Sequence, residues 1–227
     1  MKFQNKKLII FDLDGTLIDS VPDLALSLNA MLESLGREHF SEDTIHSWLG
    51  NGAQTLVQRA LLGKIEVNES IDSELFEKAL RSFLTFYEQN VCVKTVLYRD
   101  VLDTLVCLKA HGYKMAIVTN KPEAFVAPIL NTLGIYSFFE YFIGGDSLSV
   151  KKPDAEPLLH VCKELGITIK ESIMVGDSKN DILAAKAAKM DSIGVSYGYN
   201  YGEDISEFSP DEVIADFKAM TYCLIGE

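Results

Sequence analysis

The strongest constraint on this fold is a series of short, unbroken apolar runs: Leu8 to Phe11, Met115 to Val118, Tyr141 to Ile143, Ile173 to Val175, Ile193 to Val195 and Val213 to Ala215. A strand with one wet face alternates apolar and polar residues. These runs do not, so each is expected to be a parallel strand covered on both faces. Helical patterns lie between them. Val101, Leu102, Leu105, Val106 and Leu108 form one stripe, and Phe125, Val126, Ile129, Leu130 and Leu133 form another that stops at Gly134. Leu158 to Leu165, stopping at Gly166, and the alanine-rich Asp181 to Ala188 continue the series. Strand and helix in alternation predict an α/β fold with a doubly wound, mainly parallel sheet.

Residues 20–91 break the pattern. Leu24, Leu28, Met31, Leu32 and Leu35 recur at helical spacing and stop at Gly36, and Leu75, Phe76, Ala79, Leu80, Phe83, Leu84 and Tyr87 repeat the spacing further on. Leu56, Val57, Ala60 and Leu61 suggest a helix between them. The expected organisation is therefore an α/β core of residues 1–19 and 92–227, with a small all-helical cap domain, 20–91, inserted after the first strand. A chain of 227 residues that is 48% hydrophobic is long enough for one core plus such an insertion. The insertion would stand over the carboxyl end of the first strand, where open α/β sheets bind ligands. It could act there as a lid.

Charge removes several function classes. A net charge of -12 with no sustained basic run disfavours nucleic acid and anionic membrane as partners. The N-terminal apolar run ends at Phe11, too short for a signal peptide or a membrane span. Cys92, Cys107, Cys162 and Cys223 form no CxxC pair and read as reduced thiols of a cytoplasmic protein.

The chemistry is expected where polar residues follow strands: Asp12 and Asp14 after the first, Thr119 and Asn120 after the second, Asp177 after the fourth. Each has a structural reading. Asp14-Gly15 is a common turn pair, Thr119 ahead of Pro122 could cap a helix, Ser178 with Asp181 has the form of a capping box, and Lys151-Lys152 could be a solvated loop. The functional reading rests on their occurring together, in order, at one edge of one sheet. Asp12, Asp14, Asp177 and Asp181 would gather four carboxylates at that rim, and their repulsion demands a cation. Oxygen-only ligands favour Mg²⁺. With a metal present, Asp12 can attack phosphorus to give an aspartyl-phosphate. Asp14, two residues on, can protonate the leaving alkoxide and then activate water. Thr119 and amides at the next helix start would hold phosphoryl oxygens, and Lys152 would offset the charge in transit. His39, His46, His111 and His160 fall in the cap or within helical patterns, so no histidine is placed as base for a serine.

These residues resemble the haloacid dehalogenase superfamily: FDLDGT at Phe11 to Thr16, VTNK at Val118 to Lys121, KKP at Lys151 to Pro153 and GDSKND at Gly176 to Asp181. The resemblance implies Asp12 as nucleophile, Asp14 as acid/base, phosphate contacts from Thr119 and Lys152, and Mg²⁺ held by Asp12, the Asp14 main-chain carbonyl and Asp177, with Asp181 supporting from nearby. It also implies a helical cap. Over nearly its whole length the chain is similar to bacterial phosphoglycolate phosphatases, through LGNGA at Leu49 to Ala53, GGDSLSVKKP at Gly144 to Pro153 and SYGYNYGE at Ser196 to Glu203. Where that family has a proline two places after the KKP proline, Ala155 stands here. That change is expected to loosen a loop without removing a reactive group.

Two readings stand for Gly50, Asn51 and Gly52: a tight turn between helices, or a turn over the site whose backbone amides meet a substrate carboxylate. The leading expectation is hydrolysis of 2-phosphoglycolate, a small phosphorylated metabolite, by a monomer or homodimer. A phosphatase or phosphomutase for another small sugar phosphate or nucleotide uses the same parts, because specificity is not set by the fold. A silent regulatory binding module is the non-enzymatic alternative. Haloacid dehalogenation is disfavoured by Asp14, which that chemistry does not require.

Overall fold

A computed structural model describes residues 2–226. Its first half runs β1 (Leu8–Phe11), β2 (Ile18–Asp19), α1 (Val21–Ser34), α2 (Glu42–His46), α3 (Ala53–Leu62), α4 (Ser73–Gln89), β3 (Val96–Leu97), α5 (Val101–Ala110) and β4 (Lys114–Val118). Then follow α6 (Val126–Thr132), β5 (Tyr141–Ile143), α7 (Glu156–Leu165), β6 (Ser172–Gly176), α8 (Lys179–Ala188), β7 (Asp191–Val195), β8 (Glu212–Ile214) and α9 (Ala219–Leu224).

Six strands form a wholly parallel sheet in the order β5-β4-β1-β6-β7-β8. β1 is central: Leu8 lies opposite Lys114 and Ser172, and Phe11 opposite Ile117 and Val175. Because successive side chains point to opposite faces, the apolar runs divide into two cores. Ile9, Phe11, Met115, Ile117, Ile173 and Val175 pack on the side of α5, α6 and α9. Leu8, Ile10, Ala116, Val118 and Met174 pack on the other, against Leu158, Val161 and Cys162 of α7 and the small residues Ala184, Ala185 and Ala188 of α8. Covering both faces is what makes each run continuously apolar rather than alternating.

Helices α1 to α4 lie between β2 and β3 in the chain. α4 starts where Asp72 accepts the Leu75 amide at 2.9 Å, and it buries Ala79, Phe83 and Tyr87, a four-residue repeat that makes one face. α3 stops at Gly63 in the left-handed region, φ 67°. The apolar cluster on the α5 side continues without a break into these helices through Leu24, Leu28, Leu56 and Phe83. Where the chain leaves and re-enters the sheet, β2 and β3 pair antiparallel, Ile18 opposite Leu97 and Asp19 opposite Val96. Asp23, fully buried on α1, accepts from the Lys94 and Thr95 amides and the Thr95 hydroxyl at 2.6 to 2.9 Å. That carboxylate ties the outgoing segment to the returning one. The last strand begins one residue before the apolar run that marks it, and a short 3-10 turn, Glu123–Phe125, precedes α6.

Candidate active site

All six strands of the main sheet are parallel, so the residues that follow them share one edge, and β1 and β6 are neighbours. Asp12 leaves β1 with its amide bonded to the Val175 carbonyl at 2.9 Å. The Leu13 amide donates to Asp12 Oδ1 at 2.7 Å, and Lys152 Nζ stands 3.0 Å from the same oxygen. Asp177 leaves β6; its Oδ1 accepts from the Thr16 hydroxyl at 2.7 Å and its Oδ2 from the Tyr199 amide at 2.6 Å. Asp181, on the first turn of α8, accepts from Lys152 Nζ on Oδ1 at 2.6 Å and from the Ser178 amide and hydroxyl on Oδ2 at 3.0 and 2.8 Å. One carboxylate oxygen from each of Asp12, Asp177 and Asp181 lies within 4.8 Å of the others.

Three crowded carboxylates repel. Burial pushes the Asp12 carboxyl up to about 7, against the pull of Lys152 and with the charge of Asp181 adding to the rise. Burial, then Asp181 and Asp12, likewise push Asp177 well above the carboxylate range. The Lys152 ammonium is 2% exposed, and the attraction of Asp12 and Asp181 outweighs the burial that opposes it, raising its pKa. One ammonium against three acids leaves the cluster short of positive charge. The donor set, oxygen only and converging, fits a hard divalent ion. Asp181 accepts Lys152 on one oxygen and the Ser178 amide and hydroxyl on the other, so the carboxylate that holds Lys152 also serves as the capping box of α8. Its two readings, structural and functional, are one arrangement.

Asp14 departs from the expectation of four gathered carboxylates. Its side chain stands outside the tight group, because Lys121 Nζ donates to both its oxygens at 2.9 and 3.0 Å and the Ser20 hydroxyl donates to Oδ1. Lys121 is buried, with its ammonium 4.8 Å from the centre of the Tyr87 ring. Sequence reasoning gave Lys121 no role, because lysine three residues past a strand reads as solvent-facing until the Tyr87 face of α4 is known to cover it.

The second strand end behaves differently again. The Thr119 hydroxyl accepts the Lys121 amide at 3.2 Å, a local turn bond of the capping kind. Thr119, Asp12 and Asp14 all line one cavity. The Asn120 side-chain nitrogen donates to the carbonyls of Gly50 and Lys152 at 3.2 and 3.1 Å, and its buried Oδ1 has no partner among the described residues. Asn180 Nδ2 also donates to the Gly50 carbonyl, at 3.0 Å, and Lys151 Nζ donates to the Asn51 carbonyl at 2.7 Å. At Gly50 and Asn51 it is therefore the carbonyls that meet the strand-end loops. Gly50 adopts φ 108°, and a Cβ there would collide with the Tyr201 hydroxyl. Gly50 and Gly52 line the cavity; Asn51 is not among its lining residues.

In sequence, the tyrosine loop of Tyr197, Tyr199 and Tyr201 reads as a surface loop or as groups that help position the core, with no catalytic role. Tyr199 holds Asp177 by its amide, and its hydroxyl accepts from the Ser20 amide and donates to Asp19. Gly198 allows this approach: a Cβ would strike Asp177 and the Gly15 carbonyl. The pattern Tyr-Gly-Tyr carried no periodic signal that points to such packing. His46 lies edge-on against Tyr199 at 5.0 Å and makes no hydrogen bond to a site carboxylate among the described residues.

The haloacid dehalogenase-like hydrolase family matches residues 9–195. A phosphoglycolate phosphatase of Colwellia psychrerythraea is 50% identical over 224 residues, covering 99% of each chain. One from Psychrobacter arcticus is 51% identical over 222 residues, covering 97% of this chain and 96% of its own. A solved structure of a predicted phosphoglycolate phosphatase from Haemophilus somnus 129PT superposes with a TM-score of 0.91 at 40% identity, covering 99% of each chain.

Proposed function

The chain belongs to the haloacid dehalogenase-like hydrolases and is a phosphatase, and from that premise we propose that it converts 2-phosphoglycolate to glycolate and phosphate with Mg²⁺ and an aspartyl-phosphate on Asp12. The observation that supports this most is the juxtaposition of Asp12, Asp177 and Asp181, with Lys152 paired to Asp12 and Asp181 and with Asp12 and Asp14 lining one cavity.

Asp12, Asp177 and the segment of Asp14 would hold Mg²⁺, with Asp181 supporting from behind. The ion would supply the positive charge that lets an acidic cleft accept a phosphoryl group. The chain's own groups do the rest. The Leu13 amide and Lys152 fix one oxygen of Asp12, orienting the carboxylate for attack on phosphorus. As the ester bond breaks, Asp14 gives a proton to the departing oxygen, and it then takes one from the water that opens the aspartyl-phosphate. Lys152 and the Thr119 hydroxyl stabilise charge on the transferring group. Helices α1 to α4 act as the cap that closes over the reaction. Phosphoglycolate is favoured because relatives of that name align over nearly the whole of both chains. Among the described residues no helix is long and apolar enough to cross a membrane, and the four free cysteines suit a reducing compartment.

Phosphate release from a panel of small esters, with Mg²⁺ and with chelator, tests the proposal. Phosphoglycolate should be preferred, turnover should stop on chelation, and Asp12→Asn should lose at least about 1,000-fold in kcat. Full activity of Asp12→Asn would end it.

A further inference from the structure

We propose that Lys121, with the Tyr87 hydroxyl beside it, recognises a carboxylate on the leaving group and so selects esters whose alcohol carries an acid one methylene from the ester oxygen. This rests on the reading of the chain as a phosphoglycolate phosphatase. The argument begins with charge. The ionisable acids and bases lining the cavity are Asp12, Asp14 and Lys121, together with the phenol of Tyr87. A leaving group that is itself an anion must sit among these, and two of them are carboxylates. Lys121 is the one ammonium in that lining: Lys152 lies beneath Asp12 and Asp181, and Lys151 lines a neighbouring groove.

Position gives the second step. Lys121 Nζ is bonded to both oxygens of Asp14, and Asp14 is the group that hands a proton to the departing oxygen. An ammonium held on Asp14 is therefore within a few bonds of whatever follows that oxygen. In phosphoglycolate a methylene and then a carboxylate follow. Two donor hydrogens of Lys121 serve Asp14, and the third faces the Tyr87 hydroxyl, so the two groups present one donor pair to the cavity. The charge of Lys121 is secure, because Asp14 and Tyr87 outweigh the burial that opposes protonation and raise its pKa.

Tyr87 supplies an independent observation. It is 1% exposed and lines the same cavity, and its hydroxyl faces the Lys121 ammonium with no acceptor for its own hydrogen among the described residues. A buried phenol whose own hydrogen has no acceptor is uncommon and calls for an explanation. Burial pushes it up to about 12, so it stays a donor at neutral pH. The adjoining lining, Leu24, Leu56, Phe83 and Phe125, is apolar. An anion entering there has Lys121 and Tyr87 to meet it, with the start of α3 at Gly52 and Ala53 on the same cavity.

The test compares kcat/KM for 2-phosphoglycolate with that for ethyl phosphate, which has the same carbon count and no acid, in the wild type, Lys121→Gln, Lys121→Arg and Tyr87→Phe. Glutamine can still donate to Asp14 but carries no charge. Lys121→Gln should lower the preference for phosphoglycolate over ethyl phosphate by about 100-fold and Tyr87→Phe by about 5-fold, the scale of one charged and one neutral hydrogen bond, while Lys121→Arg retains most of it. Equal losses on both esters would mean that Lys121 acts only through Asp14, and the assignment fails. A wild-type preference that survives in Lys121→Gln also overturns it and leaves the substrate reading intact. A wild type with no preference for the acid-bearing ester removes the substrate reading and this assignment together. If Lys121→Gln does not fold, Tyr87→Phe decides: loss of a hydroxyl that donates to no protein group has no structural reason to affect one ester more than the other, so an unchanged preference refutes the proposal.

Discussion

Lys152 is the residue on which the site's electrostatics turn, because one buried ammonium serves Asp12, Asp181 and the Val118 carbonyl at once. Replacing it with methionine leaves two acids without their partner. Lys152→Met should lower stability by about 3 to 5 kcal/mol in the absence of metal, read by urea unfolding, and reduce kcat at least about 100-fold. Acidity makes a related prediction. With no metal bound, Asp12 keeps its proton in the folded protein up to about pH 7, whereas in the unfolded chain it ionises near pH 3.9. Between those values the folded state binds more protons, so its stability falls as pH rises through the window. Asp177, raised in the same direction, adds to the fall. In chelator, Tm should drop from pH 5 to pH 8. At pH 8, Mg²⁺ at about 100 times its Kd should restore roughly 5 to 10 °C. A Tm that ignores both pH and Mg²⁺ would contradict the proposed metal site.

Among elements, the tyrosine loop and the paired ribbon carry the geometry. Gly198→Ala should displace Asp177 through the collision of the added methyl group and weaken Mg²⁺ activation by about 10- to 100-fold, measured by titrating the metal into an activity assay. Asp23→Ala should cost about 3 kcal/mol, seen as a Tm lower by roughly 6 to 12 °C, because the amides of 94 and 95 lose their acceptor. Neither residue could be singled out from the sequence. The six main strands were legible because burial on both faces leaves runs such as Ile173 to Val175 wholly apolar, and their order explains why Asp12 and Asp177 meet. β2 and β3, two residues each, are too short to show any period. Gly50 was legible as a turn, but which of its backbone groups faces the sheet depends on Asn120 and Asn180, which come from different strand ends. Lys121 and Tyr87 stand 34 residues apart in sequence order and belong to unlike elements, so no local pattern joins them.

For the molecule as a whole, the apolar cluster that runs from the sheet into α1 to α4 makes the two regions energetically one body. The single tryptophan, Trp48, is buried among those helices against Phe40, so its fluorescence reports on them while far-UV dichroism reports on the entire chain. The two signals should follow one urea transition with a common midpoint; separate midpoints would show that the helices unfold independently. The opposite face of the sheet works differently. There α8 packs on β6 and β7, and Ala184, Ala185 and Ala188 present nothing larger than a methyl group to that core. The same helix carries Asp181 at its start. The thinness of that alanine face thus acts as a spacer gauge: any bulkier side chain beneath the helix would lift its first turn and widen the gap that Lys152 spans, so residues remote from the substrate set the tolerances of the reaction.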